Sequence, residues 1–172
     1  MSLIVQKYGG TSVKDISKIK KACLLILAEK NRGNNVIVVA SAMAGYTNKL
    51  VKLAENFNKC FIPEEYDTVV SSGEQISVGL ISMCLNEMGI KARSMLGWQI
   101  PIVSDENHSK AKIIRIEKKS ILKLIKEDTI PVIAGFQSIN PYNNRITTMG
   151  RGGSDTSAVA IAASIKADRC DI

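Results

Sequence analysis

Four short stretches of the chain carry residue types that chemistry uses. Lys7 stands two residues before Gly9-Gly10-Thr11. Ser41 and Thr47 bracket a second loop, and Glu74 sits in Ser71-Ser72-Gly73-Glu74-Gln75. Near the end runs Gly150-Arg151-Gly152-Gly153-Ser154-Asp155. Glycine lets a backbone approach a phosphate closely, and free N–H groups at a helix start point at an anion. A lysine beside such a loop can neutralise charge spread over a transferring phosphoryl group, where catalysis is mostly positioning and electrostatics. Strand residues alternate sides, so Lys7 faces either solvent or the cleft. Arg151 offers a bidentate fork for a carboxylate, and Ser154 either caps a helix or donates to a substrate. Asp155 reads as a cap and dipole partner, or as the group that orients lysines or Mg²⁺. Glu74 is either a capping glutamate or a receptor for an ammonium, because a carboxylate at the edge of an apolar helix needs a partner. His108, in a polar loop, reads as a structural hydrogen-bonder rather than a base. Neither glycine run fits G-x-x-x-x-G-K-[ST] or G-x-G-x-x-G. A plain tight turn at Gly9-Gly10 therefore stands beside the phosphate reading.

For these loops to meet, they must leave the same end of one sheet, since ligands in open α/β sheets collect at the carboxyl ends of the strands. The sequence supports that arrangement. Leu3–Tyr8 reads as a strand, and Val13, Ile16, Ile19, Cys23, Ile26 and Leu27 recur at helical spacing between Ser12 and Lys30. Gly33-Asn34-Asn35 ends that helix. Val36–Ala40 is a fully apolar strand of the kind buried on both faces in a parallel sheet. A helix is expected from Thr47 to Phe57, and Pro63 opens another with Glu64, Glu65 and Asp67 in its first turn, where acidic groups suit the dipole. Ile76–Met88, apolar almost all round, marks a central buried helix. Strands follow at Lys91–Leu96 and Ile113–Ile116, then an amphipathic helix at Lys118–Glu127 and a buried strand at Ile130–Ala134. Asn140-Pro141-Tyr142-Asn143-Asn144 is a hairpin tip between Gln137–Ile139 and Arg145–Thr148. An Ala-rich helix over Thr156–Lys166 and a strand within Asp168–Ile172 complete the pattern. The class is α/β, with a largely parallel sheet and helices on both faces.

Composition narrows the function. A chain of 172 residues buries roughly two-thirds of its unfolded surface as one domain. Its 45% apolar and 23% charged residues argue against disorder. The +7 balance suits polyanions, but the lysines are scattered over outer helix faces without interleaved aromatics, so no nucleic-acid partner is expected. Cys23, Cys60, Cys84 and Cys170 are far apart, which fits free thiols in a reducing, cytoplasmic setting rather than a disulfide framework. One histidine makes a His/Cys zinc site improbable. No signal-peptide layout is present, no apolar stretch is read as approaching the roughly 18 residues a bilayer requires, and no membrane partner is expected.

Several of these stretches together resemble the aspartate kinases, within the amino-acid kinase fold. Val5-Gln6-Lys7-Tyr8-Gly9-Gly10-Thr11-Ser12 resembles K-F-G-G-T-S with Tyr8 for Phe, and Val39-Ala40-Ser41-Ala42-Met43 resembles V-V-S-A-M. Ser72-Gly73-Glu74-Gln75 resembles T-G-E-Q with Ser72 for Thr. Gly97-Trp98-Gln99, Gly135-Phe136-Gln137 and Thr147–Thr156 follow in family order. The resemblance implies a three-layer sandwich and residue roles. Lys7 would stabilise the transferring phosphoryl group, with Gly9, Gly10, Thr11, Gly152 and Gly153 contacting phosphate. Ser41 and Thr47 would line the substrate site, Glu74 would hold an amino group, Arg151 and Ser154 a carboxylate, and Asp155 would organise the catalytic charges. The implied reaction is phosphorylation of L-aspartate by ATP with Mg²⁺, with no protein metal ligand assigned. Residues 1–172 then read as the substrate-side part of a catalytic domain truncated at its C-terminus, without the adenine subregion, a second phosphate-contacting lysine or regulatory domains. The sheet edge so exposed suits a homo-oligomer or a complementing chain. Two alternatives stay open: a non-catalytic binding or dimerisation module of this fold, and a kinase of acetylglutamate, glutamate or carbamate.

Overall fold

In a computed structural model, which describes residues 1–172 apart from Asn58, Cys60 and Arg151, the apolar runs assemble as a parallel sheet. Strand β1 (Leu3–Tyr8) leads through α1 (Ile16–Asn31) to β2 (Asn35–Ala40), and the two strands pair in parallel from Leu3↔Asn35 to Tyr8↔Ala40. Next come α2 (Tyr46–Ala54), a short 3₁₀ turn (Glu55–Phe57), α3 (Pro63–Val70) and α4 (Ser72–Glu87), followed by β3 (Ala92–Met95), β4 (Ile102–Ser104), β5 (Ile113–Ile116) and α5 (Lys119–Lys126). The chain continues through β6 (Ile130–Ala134), β7 (Gln137–Ile139), β8 (Ile146–Thr148), α6 (Gly153–Ile165) and β9 (Arg169–Asp171). The five-stranded sheet has the order β3-β6-β2-β1-β9 and is parallel throughout.

Strand alternation divides the core into two halves. Val36, Val38 and Ala40 of β2 face Ile19, Cys23 and Ile26 of α1 and Val78, Ile81 and Leu85 of α4. Ile37 and Val39 face Ile121 and Leu124 of α5 and Ala158, Ile161 and Ile165 of α6. Helices thus cover both faces, giving the expected three layers. Each fully buried Ile or Leu in them contributes roughly 1.5–3 kcal/mol. Val5 belongs to the α5/α6 half. By the same alternation Lys7 emerges on the α6 side.

The structure departs from the sequence reading in five places. A second, four-stranded mixed sheet, β5-β4-β7-β8, contains the expected hairpin β7–β8 and the unexpected strand β4. β4 is only three residues long and all three are buried, so it has no alternation to read. Helix α1 begins at Ile16, not Ser12, because Asp15 caps it by accepting from the Lys18 amide at 2.9 Å. Helix α6 begins three residues earlier than expected, with Gly152 as N-cap at φ 77°, a left-handed conformation that glycine adopts without strain. Ser154 is therefore within the helix and not its cap. Asp67 lies beyond the first turn of α3 and is wholly buried, so a dipole role does not describe it. Finally, Pro63–Glu87 is by length and composition apolar enough to cross a membrane; 56% of its most apolar window is buried within the fold.

Candidate functional site

The carboxyl ends of β1 and β2 deliver the loops that begin at Gly9 and Ser41, and the two loops touch. The Ala44 amide donates to the Gly10 carbonyl at 3.1 Å. A Cβ on Gly10 would lie 2.8 Å from the Ala42 carbonyl oxygen, so only glycine allows this approach. Helix α4 packs its first turn beneath the same loop, and there Glu74 Oε1 accepts from the Ala42 amide at 2.9 Å. On the opposite side, α6 starts at the Gly150–Gly153 loop.

Between them lies a cavity of about 710 Å³ whose walls include Lys7, Gly10, Ser41, Thr47, Glu74, Gly152, Gly153, Ser154 and Asp155. Nine of the residues singled out from sequence thus meet at one place. Gly9 and Thr11 do not line it. Gly9 lies against the Lys7 ammonium, where a Cβ would come within 3.3 Å of Nζ, and Thr11 is exposed in the following turn. Arg151 lies outside the described residues. Because α1 starts only at Ile16 behind its Asp15 cap, the Gly9–Thr11 loop has no helix N-terminus of its own to present to an anion. The Gly150–Gly153 loop does, since no side chain caps α6.

Two features set the electrostatics. Lys7 Nζ sits 2.5 Å from Asp155 Oδ1, the lysine largely buried and the aspartate half exposed. Strand parity and the early start of α6 bring this pair together. Glu74 is only 3% exposed. Burial pushes its carboxyl up to about 7, against the lowering effect of the Ala42 amide. Its second oxygen, Oε2, is buried and has no hydrogen-bond partner among the described residues. A buried oxygen of this kind is costly unless a donor arrives.

The cavity wall also contains Asn48, Tyr66, Ser109, Phe136 and Thr148, none of which was singled out from sequence as a site residue. Phe136 has φ 66°, outside the ordinary range for a bulky residue. It sits in the two-residue link between β6 and β7, which is too short to carry a periodic signal. His108 is, as expected, a hydrogen-bonder: its Nδ1 lies 2.8 Å from Asp67 Oδ2.

Comparison with known proteins places this arrangement. The model of the amino acid kinase family matches residues 2–172. An aspartokinase of Rickettsia conorii is 52% identical over 175 residues, covering all of this chain and 43% of that protein. The aspartate kinase of Pseudomonas putida is 44% identical, again over the whole chain and 42% of its own length. Among solved structures, aspartate kinase from Synechocystis superposes with a TM-score of 0.82 at 40% identity, over 98% of this chain and 28% of that one. E. coli aspartokinase III in complex with aspartate and ADP gives 0.88 at 25% identity, over 99% and 48%. The chain thus spans less than half the length of these relatives, and it belongs to the amino acid kinase family.

Proposed function

We propose that this chain forms the substrate-side part of an aspartate kinase, which transfers the γ-phosphate of ATP to the side-chain carboxylate of L-aspartate and yields 4-phospho-L-aspartate. One observation carries the reading. Glu74 Oε2 is a buried acceptor with no hydrogen-bond partner among the described residues, on the wall of a cavity that also holds a lysine–aspartate pair and a glycine-lined helix start. An amino acid's ammonium supplies the donor that this oxygen lacks, and its arrival favours the ionised form of Glu74.

In this reading Ser41, Thr47 and Ser154 hydroxyls orient the bound amino acid, and Arg151 pairs with its α-carboxylate. The side-chain carboxylate oxygen attacks the γ-phosphorus as the bond to the β-phosphate oxygen breaks and ADP departs. Lys7 neutralises the equatorial oxygens during that transfer, held in place by Asp155. Gly10, Gly152 and Gly153 bring backbone close to the phosphates. Gly9 and Thr11, which the resemblance also assigns to phosphate, stand outside the cavity wall, Gly9 against the Lys7 ammonium. Among the described residues no group of three or more His, Cys, Asp or Glu side chains converges, so the chain builds no all-protein metal cage. Mg²⁺ would come with the ATP phosphates and neutralise their charge, with Asp155 the carboxylate of the cavity wall that could help hold it.

The adenine subregion and regulatory domains lie outside these 172 residues in this proposal, supplied by further sequence, a second copy or a complementing chain. A cytoplasmic setting accords with Cys23, Cys84 and Cys170 being free thiols. The similarity to an aspartokinase and an aspartate kinase favours aspartate over glutamate, acetylglutamate or carbamate as acceptor.

Calorimetric titration with L-aspartate, then with Mg·ATP, tests the reading, with the other acids as a panel. Saturable aspartate binding is expected, and preference for another acid would replace the substrate. Where turnover is measurable, Lys7→Ala is expected to abolish it while leaving cooperative unfolding intact. Retained turnover would remove Lys7 from the mechanism.

A further inference from the structure

Asp67 belongs to no role assigned so far, yet it is the most heavily bonded side chain beside the cavity. It is 0% exposed. Its Oδ2 accepts from the amides of Ser109 and Thr148, each at 3.0 Å, with His108 Nδ1 at 2.8 Å. Its Oδ1 accepts from the hydroxyls of Ser109 at 3.1 Å and Thr148 at 2.6 Å. Five bonds fill about all the acceptor capacity a carboxylate has.

Those bonds tie together three separate segments, that of Asp67 and two others. Asp67 is on α3, His108 and Ser109 are in the loop between β4 and β5, and Thr148 ends β8, immediately before the Gly150–Asp155 run. Ser109 is held at φ 64°, a left-handed conformation that costs a non-glycine residue of order 1 kcal/mol or more and persists only where its surroundings enforce it. Asp67 enforces it through both the Ser109 amide and its hydroxyl. The Ser109 carbonyl is in turn near Gly150, 3.5 Å from where a Cβ there would stand, and the Thr148 carbonyl accepts from Ala111 at 3.0 Å. Ser109, Thr148 and Gly150 all line the cavity; Asp67 and His108 do not.

We propose that Asp67 is a positioning residue. Its carboxyl clamps the end of β8 and the Ser109 turn together, and so fixes the point from which the loop carrying Gly150, Gly152, Gly153, Ser154 and Asp155 departs. A loop that starts from a fixed base has less freedom to lose when ligand binds, which is how preorganisation gains affinity. Asp67 touches no substrate; it acts through Thr148 and Ser109. Its consequence for aspartate binding rests on the function proposed above, whereas the clamp itself does not.

Hydrogen–deuterium exchange resolved by peptide, on wild type and Asp67→Asn, tests the clamp without any ligand. Replacing one carboxylate oxygen by an NH₂ turns an acceptor into a donor facing donors. Exchange in segments 105–112 and 149–155 is expected to rise about tenfold or more, while β1 and β2 stay protected. Ser109→Ala, which removes one of the five bonds, is expected to give a smaller rise in the same two segments and serves if Asp67→Asn does not fold. A parallel titration is expected to show L-aspartate bound roughly 10-fold more weakly by Asp67→Asn. If wild type binds no aspartate but the two segments still loosen, the clamp stands and the proposed substrate falls. Unchanged exchange at 149–155, or an equal rise across all strands, overturns the clamp.

Discussion

Asp67 and Glu74 lie seven residues apart, on successive helices α3 and α4, and both carboxyls are buried beside the same cavity. They are nonetheless opposites. Asp67 is saturated, with five hydrogen-bond partners drawn from two other segments. Glu74 has the Ala42 amide on one oxygen and no partner among the described residues on the other, and burial drives its carboxyl up to about 7. A saturated buried carboxyl holds the fold together. A half-satisfied one strains it, and natural proteins keep such a group where a ligand completes it. The pair therefore separates, within a few residues, a carboxyl that ties segments together from one that the proposed function assigns to a ligand's ammonium.

The largest effect expected from breaking this contrast is at Asp67. Asp67→Ala leaves several buried donors without an acceptor, so stability should fall by on the order of 3–5 kcal/mol, read as a loss of roughly 10 °C or more in thermal unfolding. A change within experimental error would show that the five bonds are replaced by water at no cost.

Next comes Glu74→Gln, where stability and binding should move in opposite directions. L-Aspartate affinity should fall by roughly 100-fold, because the charged acceptor for its ammonium is gone. Stability without ligand should rise at pH 8. The sign follows from linkage. The carboxyl is raised from 4.5 in the unfolded chain to about 7 in the folded one, so the folded state binds more protons between those values. The neutral form's contribution is present below 4.5 and is lost as pH rises through 7. Glu74→Gln escapes that loss, and its advantage over wild type, on the order of 3 kcal/mol at pH 8, should vanish towards pH 4. An equal difference at both pH values would mean that Glu74 is not the titrating group.

A sharper form of the same contrast is the proton itself. Aspartate binding should release a fraction of a proton at pH 6.5, and affinity should be higher at pH 8 than at pH 6. Titration in buffers of different ionisation enthalpy reads the release directly. Asp67→Asn should leave that proton release intact, since Asp67 is not the receptor.

The smallest effect serves as a control. Asp128 is an exposed carboxylate 2.5 Å from Lys30, and its neighbours hold it below the usual carboxylate range, mainly through the Lys30 hydrogen bond. Asp128→Asn should change stability by less than about 1 kcal/mol, as for other solvated pairs. A larger loss would mean that charge deletion, and not burial, governs the results at Asp67 and Glu74.

The order of strands and helices in the main sheet was written in the sequence as runs of period two or 3.6. β1 and β6 matched their expected bounds because Gly9 and Gly135 end each pattern directly after the strand. Lys7, Glu74 and Asp155 were legible because charged residues next to glycines in an apolar setting are conspicuous. What sequence could not express was parity and distance. Lys7 meets Asp155 because an odd position on β1 faces α6 and because α6 starts at Gly153. Both depend on how layers stack, a long-range matter that no window of residues contains. Asp67 shows the same limit from the other side. In sequence it is one of three acids after a proline, a pattern that fits dipole stabilisation as well as anything else. Only the arrival of Ser109 and Thr148, 42 and 81 residues away, makes it a hub. Local propensity decided which elements form. Packing brought distant donors to within about 3 Å of Asp67 and only one amide to Glu74, and so decided which of the two buried acids is saturated.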